Sequence, residues 1–122
     1  VIGHIGLSAI TLSTADMARA VRFYETLGFR LSFGGPEADF TTLWAGPSAL
    51  NLTTERGEAP PGFWGRVIFE VEDVDAFHTT ITEAGIETEF PPRDAPWMER
   101  YFHLHDPDGH ELSFMTPIRD PS

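Results

Sequence analysis

The stretch "ITLSTADMARAVRFYETLGFRLSF", residues 10–33, decides the fold, because "VIFEVEDVDAFHTTITEAGIETEF", residues 67–90, repeats its pattern without a gap. Asp16 falls on Asp73, Gly28 on Gly85 and Phe33 on Phe90. Each copy opens with a short alternating run rich in β-formers, which reads as a strand. An Asp then stands where a helix N-cap belongs and can satisfy a first-turn amide. The apolar residues that follow are Met17, Ala20, Val21, Tyr24 and Leu27 in one copy, and Val74, Phe77, Ile81 and Ala84 in the other. Both sets recur at steps of three and four, which gives a helix one apolar face. Gly28 and Gly85 sit where a helix end needs a left-handed residue. A second strand is expected to leave each helix.

Strand signals close each copy. In the first they are "DFTTLWA" (39–45) and "ALNLTTE" (49–55), joined by "GPS"; in the second, "RYFHLH" (100–105) and "HELSFM" (110–115), joined by the turn "DPDG". Each copy therefore reads β-α-β-β-β, an α+β arrangement. Module one spans about residues 5–55, a Pro- and Gly-rich linker about 56–65, and module two about 66–117, all within one domain. The segment "PPRDAPWME" (91–99) reads as a loop whose Trp97 can lie over a pocket. With a helix on one face of each sheet, the opposite faces remain to enclose something.

Composition narrows the function. The chain has 122 residues, 41% hydrophobic and 22% charged, an ordinary globular balance. Nineteen acidic against eight basic residues give a net charge of −11, which disfavours nucleic acid and anionic membrane as partners. No apolar run approaches the length of a membrane span, and the N-terminal residues lack a signal-peptide pattern. The absence of cysteine rules out disulfides and thiolate ligands, and fits a cytoplasmic setting.

The stretches "TADMARAVRFYETLGF" (14–29), "VEDVDAFHTTITEAGI" (71–86) and "PWMERYFHLHDPDGHELSF" (96–114) resemble the vicinal oxygen chelate superfamily, which includes glyoxalase I, extradiol dioxygenases and the fosfomycin- and bleomycin-resistance proteins. The resemblance covers nearly the whole chain. It implies two modules forming a curved mixed sheet around a cavity, with the helices outside. In metal-dependent members one ligand stands on the opening strand of each copy and another on the last strand. Here those positions hold Ala9, Arg66 and Ser113. Ala has no donor atom, Arg is a permanent cation and neutral Ser is a poor ligand. The expectation is therefore no metal and no cofactor.

"FHLHDPDGHELSF" (102–114) is nevertheless dense in histidine and carboxylate. Strand alternation sorts it. If Ser113 faces the cavity, so do Glu111 and Met115, with Tyr101, His103 and His105 from the strand before. Leu112, Phe114, Phe102 and Leu104 then pack on the helix. Arg66, Ile68 and Glu70 join the inward set, and by analogy so do Phe40, Thr42, Trp44 and Asn51. His110 is expected to be solvated at a turn edge. The ligand-contacting set is Trp44, Phe40, Arg66, Glu70, Trp97, Tyr101, His103, Glu111, Ser113 and Met115. Aromatic walls with a few polar groups suit a small molecule. The reading that follows is a metal-independent binding protein of the bleomycin-resistance type. It would be a homodimer and would hold an aromatic or cationic natural product such as an antibiotic. The alternative is a glyoxalase- or dioxygenase-like enzyme. It would use His103, Glu111, Glu70 and Arg66 for acid–base and oxyanion chemistry, or a relocated metal.

Overall fold

The computed structural model describes residues 2–57 and 59–119. The chain divides into two compact units between Ala59 and Pro60. The first contains β1 (Ala9–Ser13), α1 (Met17–Thr26), β2 (Arg30–Phe33), β3 (Phe40–Ala45) and β4 (Ser48–Thr53); the second contains β5 (Arg66–Glu70), α2 (Val74–Glu83), β6 (Arg93–Ala95), β7 (Glu99–His105) and β8 (Glu111–Pro117). Each unit is thus β-α-β-β-β. Each builds a four-stranded mixed sheet of the same topology, β1-β4-β3-β2 and β5-β8-β7-β6. In both, the opening strand lies parallel to the last strand and the remaining pairs are antiparallel. Among the described residues no helix is long and apolar enough to cross a membrane.

The two helices form for the same local reasons. Asp16 accepts a hydrogen bond from the Arg19 amide, and Asp73 one from the Ala76 amide, each at 3.1 Å. Each removes one orphan donor from a first turn. At the other end Gly28 and Gly85 take φ of 93° and 95°. The amides that follow reach back to the Tyr24 and Ile81 carbonyls at 3.0 Å, closing Schellman motifs.

Packing then differs. In the first unit Met17, Ala20, Val21 and Tyr24 bury one face of α1, and Leu12, Leu43, Leu50 and Leu52 are buried on the sheet. In the second unit the core is aromatic. Phe114 lies 5.3 Å from Phe69, 4.8 Å from Phe77 and 5.7 Å from Phe102, measured between ring centroids. Fully burying side chains of this size stabilises by about 1.5–3 kcal/mol each. Phe102, Leu104, Leu112 and Phe114 are all buried, as alternation predicts. Ala84, expected on the apolar face of α2, is instead its exposed C-cap.

One strand stands elsewhere than expected. Residues 86–90 form no strand after α2, because Pro91 and Pro92 follow and have no amide hydrogen for a ladder. The Glu89 amide still donates to the His103 carbonyl at 2.9 Å. Regular pairing resumes past the prolines as β6, so segment 91–99 is a strand and a tight turn rather than a loop. That shift sets Arg93 opposite Tyr101 and Asp94 opposite Arg100.

Candidate functional site

Register arranges the face of the second sheet opposite α2 into three rows running across its strands. Arg66, Glu111 and His105 form the first row, Ile68, Ser113 and His103 the second, and Glu70, Met115, Tyr101 and Arg93 the third. The rows exist because cross-strand neighbours share a face and alternate residues do not. Ser113 and Met115 are buried within them, 3% and 7% exposed, whereas Arg66, Ile68 and Glu70 are exposed.

Aromatic rings cover the β6–β7 end of this face. Tyr101 lies 5.2 Å from His103, 5.6 Å from Phe90 and 6.0 Å from Trp97, and Phe90 lies 5.3 Å from His103. Trp97 is 64% exposed, yet its ring inclines only 34° to Tyr101, and its indole N–H donates to Glu99 at 3.3 Å. A three-residue turn presents it: Ala95 pairs with Glu99, and the Met98 amide closes on the Ala95 carbonyl at 3.1 Å. Such turns need a left-handed third residue, usually Gly. Met98 takes it here at φ 66°, the one positive φ among the described non-glycine residues. A strained backbone beside an exposed aromatic is the kind of outlier that accompanies function.

The polar groups are mostly matched to one another. The Arg66 Nε donates to Glu111 at 2.5 Å. Glu89 approaches His105 at 3.2 Å and His103 at 3.8 Å, and the far nitrogen of His105 lies 3.9 Å from Glu111. Burial lowers the pKa of His103, and the Arg66 charge lowers it further, so its imidazole is neutral near pH 7. Arg93 lies 3.7 Å over the Phe90 ring and donates to the Tyr101 hydroxyl at 3.3 Å. On the opposite face Arg100 bridges Asp94 and Asp75, and its hydrogen bond holds the Asp75 carboxyl below the usual range.

Trp44 and Phe40 belong to the first unit. Phe40 is exposed and Trp44 half-buried beside a chain of neutral hydrogen bonds, Thr42 to Asn51 at 2.7 Å and Asn51 to Thr11 at 3.3 Å. His110 corrects the expectation of a solvated turn residue. It is 3% exposed, and its Nδ1 accepts from the Trp64 indole at 3.1 Å. The Asp106 side chain causes this by capping the amides of Asp108 and His110, both at 2.9 Å, which folds the turn inward.

Sequence reasoning singled out Arg66, Glu70, Trp97, Tyr101, His103, Glu111, Ser113 and Met115, which lie in the second unit, and Phe40 and Trp44, which lie in the first. It missed Arg93, Phe90 and Glu89. The signal was the alternation of "RDA" opposite "ERY", hidden because the preceding prolines made the segment read as a loop.

The inherited metal positions do not fit a metal. Ala9 offers no donor, Ser113 is buried and Arg66 is an ion-paired cation. Among the described residues one other group, Glu89, His105 and Glu111, brings three donor atoms within 4.8 Å of one another. Arg66 already holds a Glu111 oxygen there and opposes a further positive charge.

Residues 2–114 match the Glyoxalase/Bleomycin resistance protein/Dioxygenase superfamily. An uncharacterized protein of Mycolicibacterium smegmatis is 33% identical over 112 residues, covering 90% of this chain and 92% of that protein. The bleomycin resistance determinant encoded on transposon Tn5 superposes with a TM-score of 0.77 at 25% identity, covering 92% of this chain and 98% of that one. Lactoylglutathione lyase from Agrobacterium tumefaciens, at 18% identity, shares the fold, with a TM-score of 0.75 over 93% of this chain and 95% of its own. The repeated β-α-β-β-β units and these matches agree: the chain belongs to the glyoxalase/bleomycin resistance protein/dioxygenase superfamily.

Proposed function

We propose that the protein binds a small aromatic molecule without changing it, as a metal-independent sequestering protein, and acts as a homodimer in the cytoplasm. The observation that carries this reading is the contiguous aromatic surface of Trp97, Tyr101, Phe90 and His103 on the face opposite α2. A flat ring stacked on such a surface gains about 0.5–1.5 kcal/mol per aromatic pair beyond its area burial. The Arg66–Glu111 pair and the neutral His103 supply edge contacts that fix its orientation. The likeness to the Tn5 bleomycin resistance determinant supports binding as the activity and an antibiotic as the kind of ligand.

A screen of aromatic natural products by tryptophan quenching tests it, followed by recovery of the ligand. Unaltered ligand is the expected result; product at more than one turnover per site contradicts it. Elemental analysis should find no stoichiometric metal. About one Zn, Mn, Fe or Ni per chain, lost in His105→Ala or Glu89→Gln, would overturn metal independence.

One observation favours an enzyme as the second reading. His103 is held neutral, as a general base must be, beside a guanidinium that can receive developing negative charge. Turnover abolished by His103→Gln with binding intact would establish it.

A further inference from the structure

We infer that the ligand of this aromatic face is an anion, a flat ring bearing a carboxylate, sulfonate or phenolate, and that Arg93 receives its charge. The inference rests on the binding reading above and adds the ligand's charge to it.

Most charges on this face are already answered; among the described residues Glu70 and Arg93 are not, and they stand far apart. Arg66 and Glu111 neutralise each other. Glu89 is turned to His105 and His103, and Glu99 accepts from the Trp97 indole. Asp94 lies on the opposite face, held by Arg100. Glu70 shares a row with Arg93 but stands three strand spacings away, about 14 Å. Arg93 is exposed, and among the described residues no carboxylate lies within ion-pair distance of it.

What holds Arg93 is aromatic. The guanidinium lies over the Phe90 ring, and its Nε and Nη2 reach the Tyr101 hydroxyl at 3.4 and 3.3 Å, longer than strong hydrogen bonds. Stacking fixes the plane of the group without using any N–H donor, and the Tyr101 hydroxyl engages only two of the five, which leaves the Nη1–Nη2 end as a fork that matches a planar anion. Trp97 and Tyr101 on the same face supply the ring contact. A cationic ligand would meet the Arg93 charge there, with the Glu111 carboxylate already engaged.

Three probes with one ring system separate the possibilities: 2-naphthoate, 2-naphthalenemethanol and 2-naphthylmethylammonium, titrated calorimetrically into the whole chain. Naphthoate should bind tightest, by about tenfold over the neutral alcohol, as expected of a charge-assisted hydrogen bond. Arg93→Gln should abolish that preference, with the loss falling on naphthoate more than on the alcohol. Arg93→Lys should retain part of it, and Arg66→Gln most of it. If the ammonium binds best, or the naphthoate preference survives Arg93→Gln and disappears in Arg66→Gln, the inference is wrong and the binding reading stands. If none of the three binds, both fall.

Discussion

The two units have one backbone plan and two surface chemistries. Register makes them comparable residue by residue, since Ala9 and Ala49 pair in the first sheet where Arg66 and Glu111 pair in the second. Trp44 occupies the place of His105, Thr42 that of His103 and Phe40 that of Tyr101. The first face carries one charged strand residue, Arg30 opposite Trp44, and is otherwise tied together by the neutral Thr42–Asn51–Thr11 hydrogen bonds. The second is ionic and aromatic, with Arg93 over Phe90 and a neutral His103 between two guanidiniums and two carboxylates. The contrast separates what the fold requires from what it permits. Both copies need an Asp cap, a left-handed Gly and apolar alternation towards the helix. Neither needs a particular residue on the other face, so chemistry accumulates there.

The largest expected effect breaks the symmetry of the cores. Phe114 and Leu52 are equivalent in register, but Phe114 contacts three other rings. Phe114→Ala should cost about 3–5 kcal/mol and Leu52→Ala about 2–5 kcal/mol. Urea denaturation followed by circular dichroism checks the order; a smaller loss for Phe114→Ala would contradict an aromatic core in the second unit. The next effect concerns the faces. Trp97→Ala should weaken 2-naphthoate binding by about 1–3 kcal/mol, and Trp44→Ala by much less. Equal losses would erase the distinction between the two surfaces. Smaller still are the shared caps. Asp16→Ala and Asp73→Ala should each cost about 1 kcal/mol, and a large difference between them would show that the repeat is not energetically equivalent.

The smallest effect is a pH dependence peculiar to the second unit. The folded pKa of His103 lies below its ordinary value of 6.5, so acidification protonates the unfolded chain first. The stability that neutral His103 contributes is present above about pH 6.5 and is lost as pH falls through the folded value. His103→Gln should flatten the pH slope of the melting temperature in that window. An unchanged slope would contradict the assigned cause.

Fold and site were unequally legible in the sequence. The repeat gave the topology because caps, glycines and alternation are local devices that write themselves into adjacent residues. Trp97 stands in a segment that reads as a loop, whereas the shared face of His103 and Glu111 followed from alternation alone. Arg93 did not, since its role depends on β6, and Pro91 and Pro92 disguise that strand until β7 is seen to template it. His110 was misread for a similar reason. The Asp106 carboxylate, not the turn composition, decides that its ring folds inward onto Trp64.

We propose the face of β6, β7 and β8 opposite α2 as the ligand surface. Amide chemical-shift mapping on the ¹⁵N-labelled chain during titration with 2-naphthoate tests it most directly. Saturable shifts concentrated at Phe90, Arg93, Trp97, Tyr101 and His103, with Thr42, Trp44 and Asn51 still, are the predicted result. Shifts centred on the first unit, or none that saturate, would contradict it.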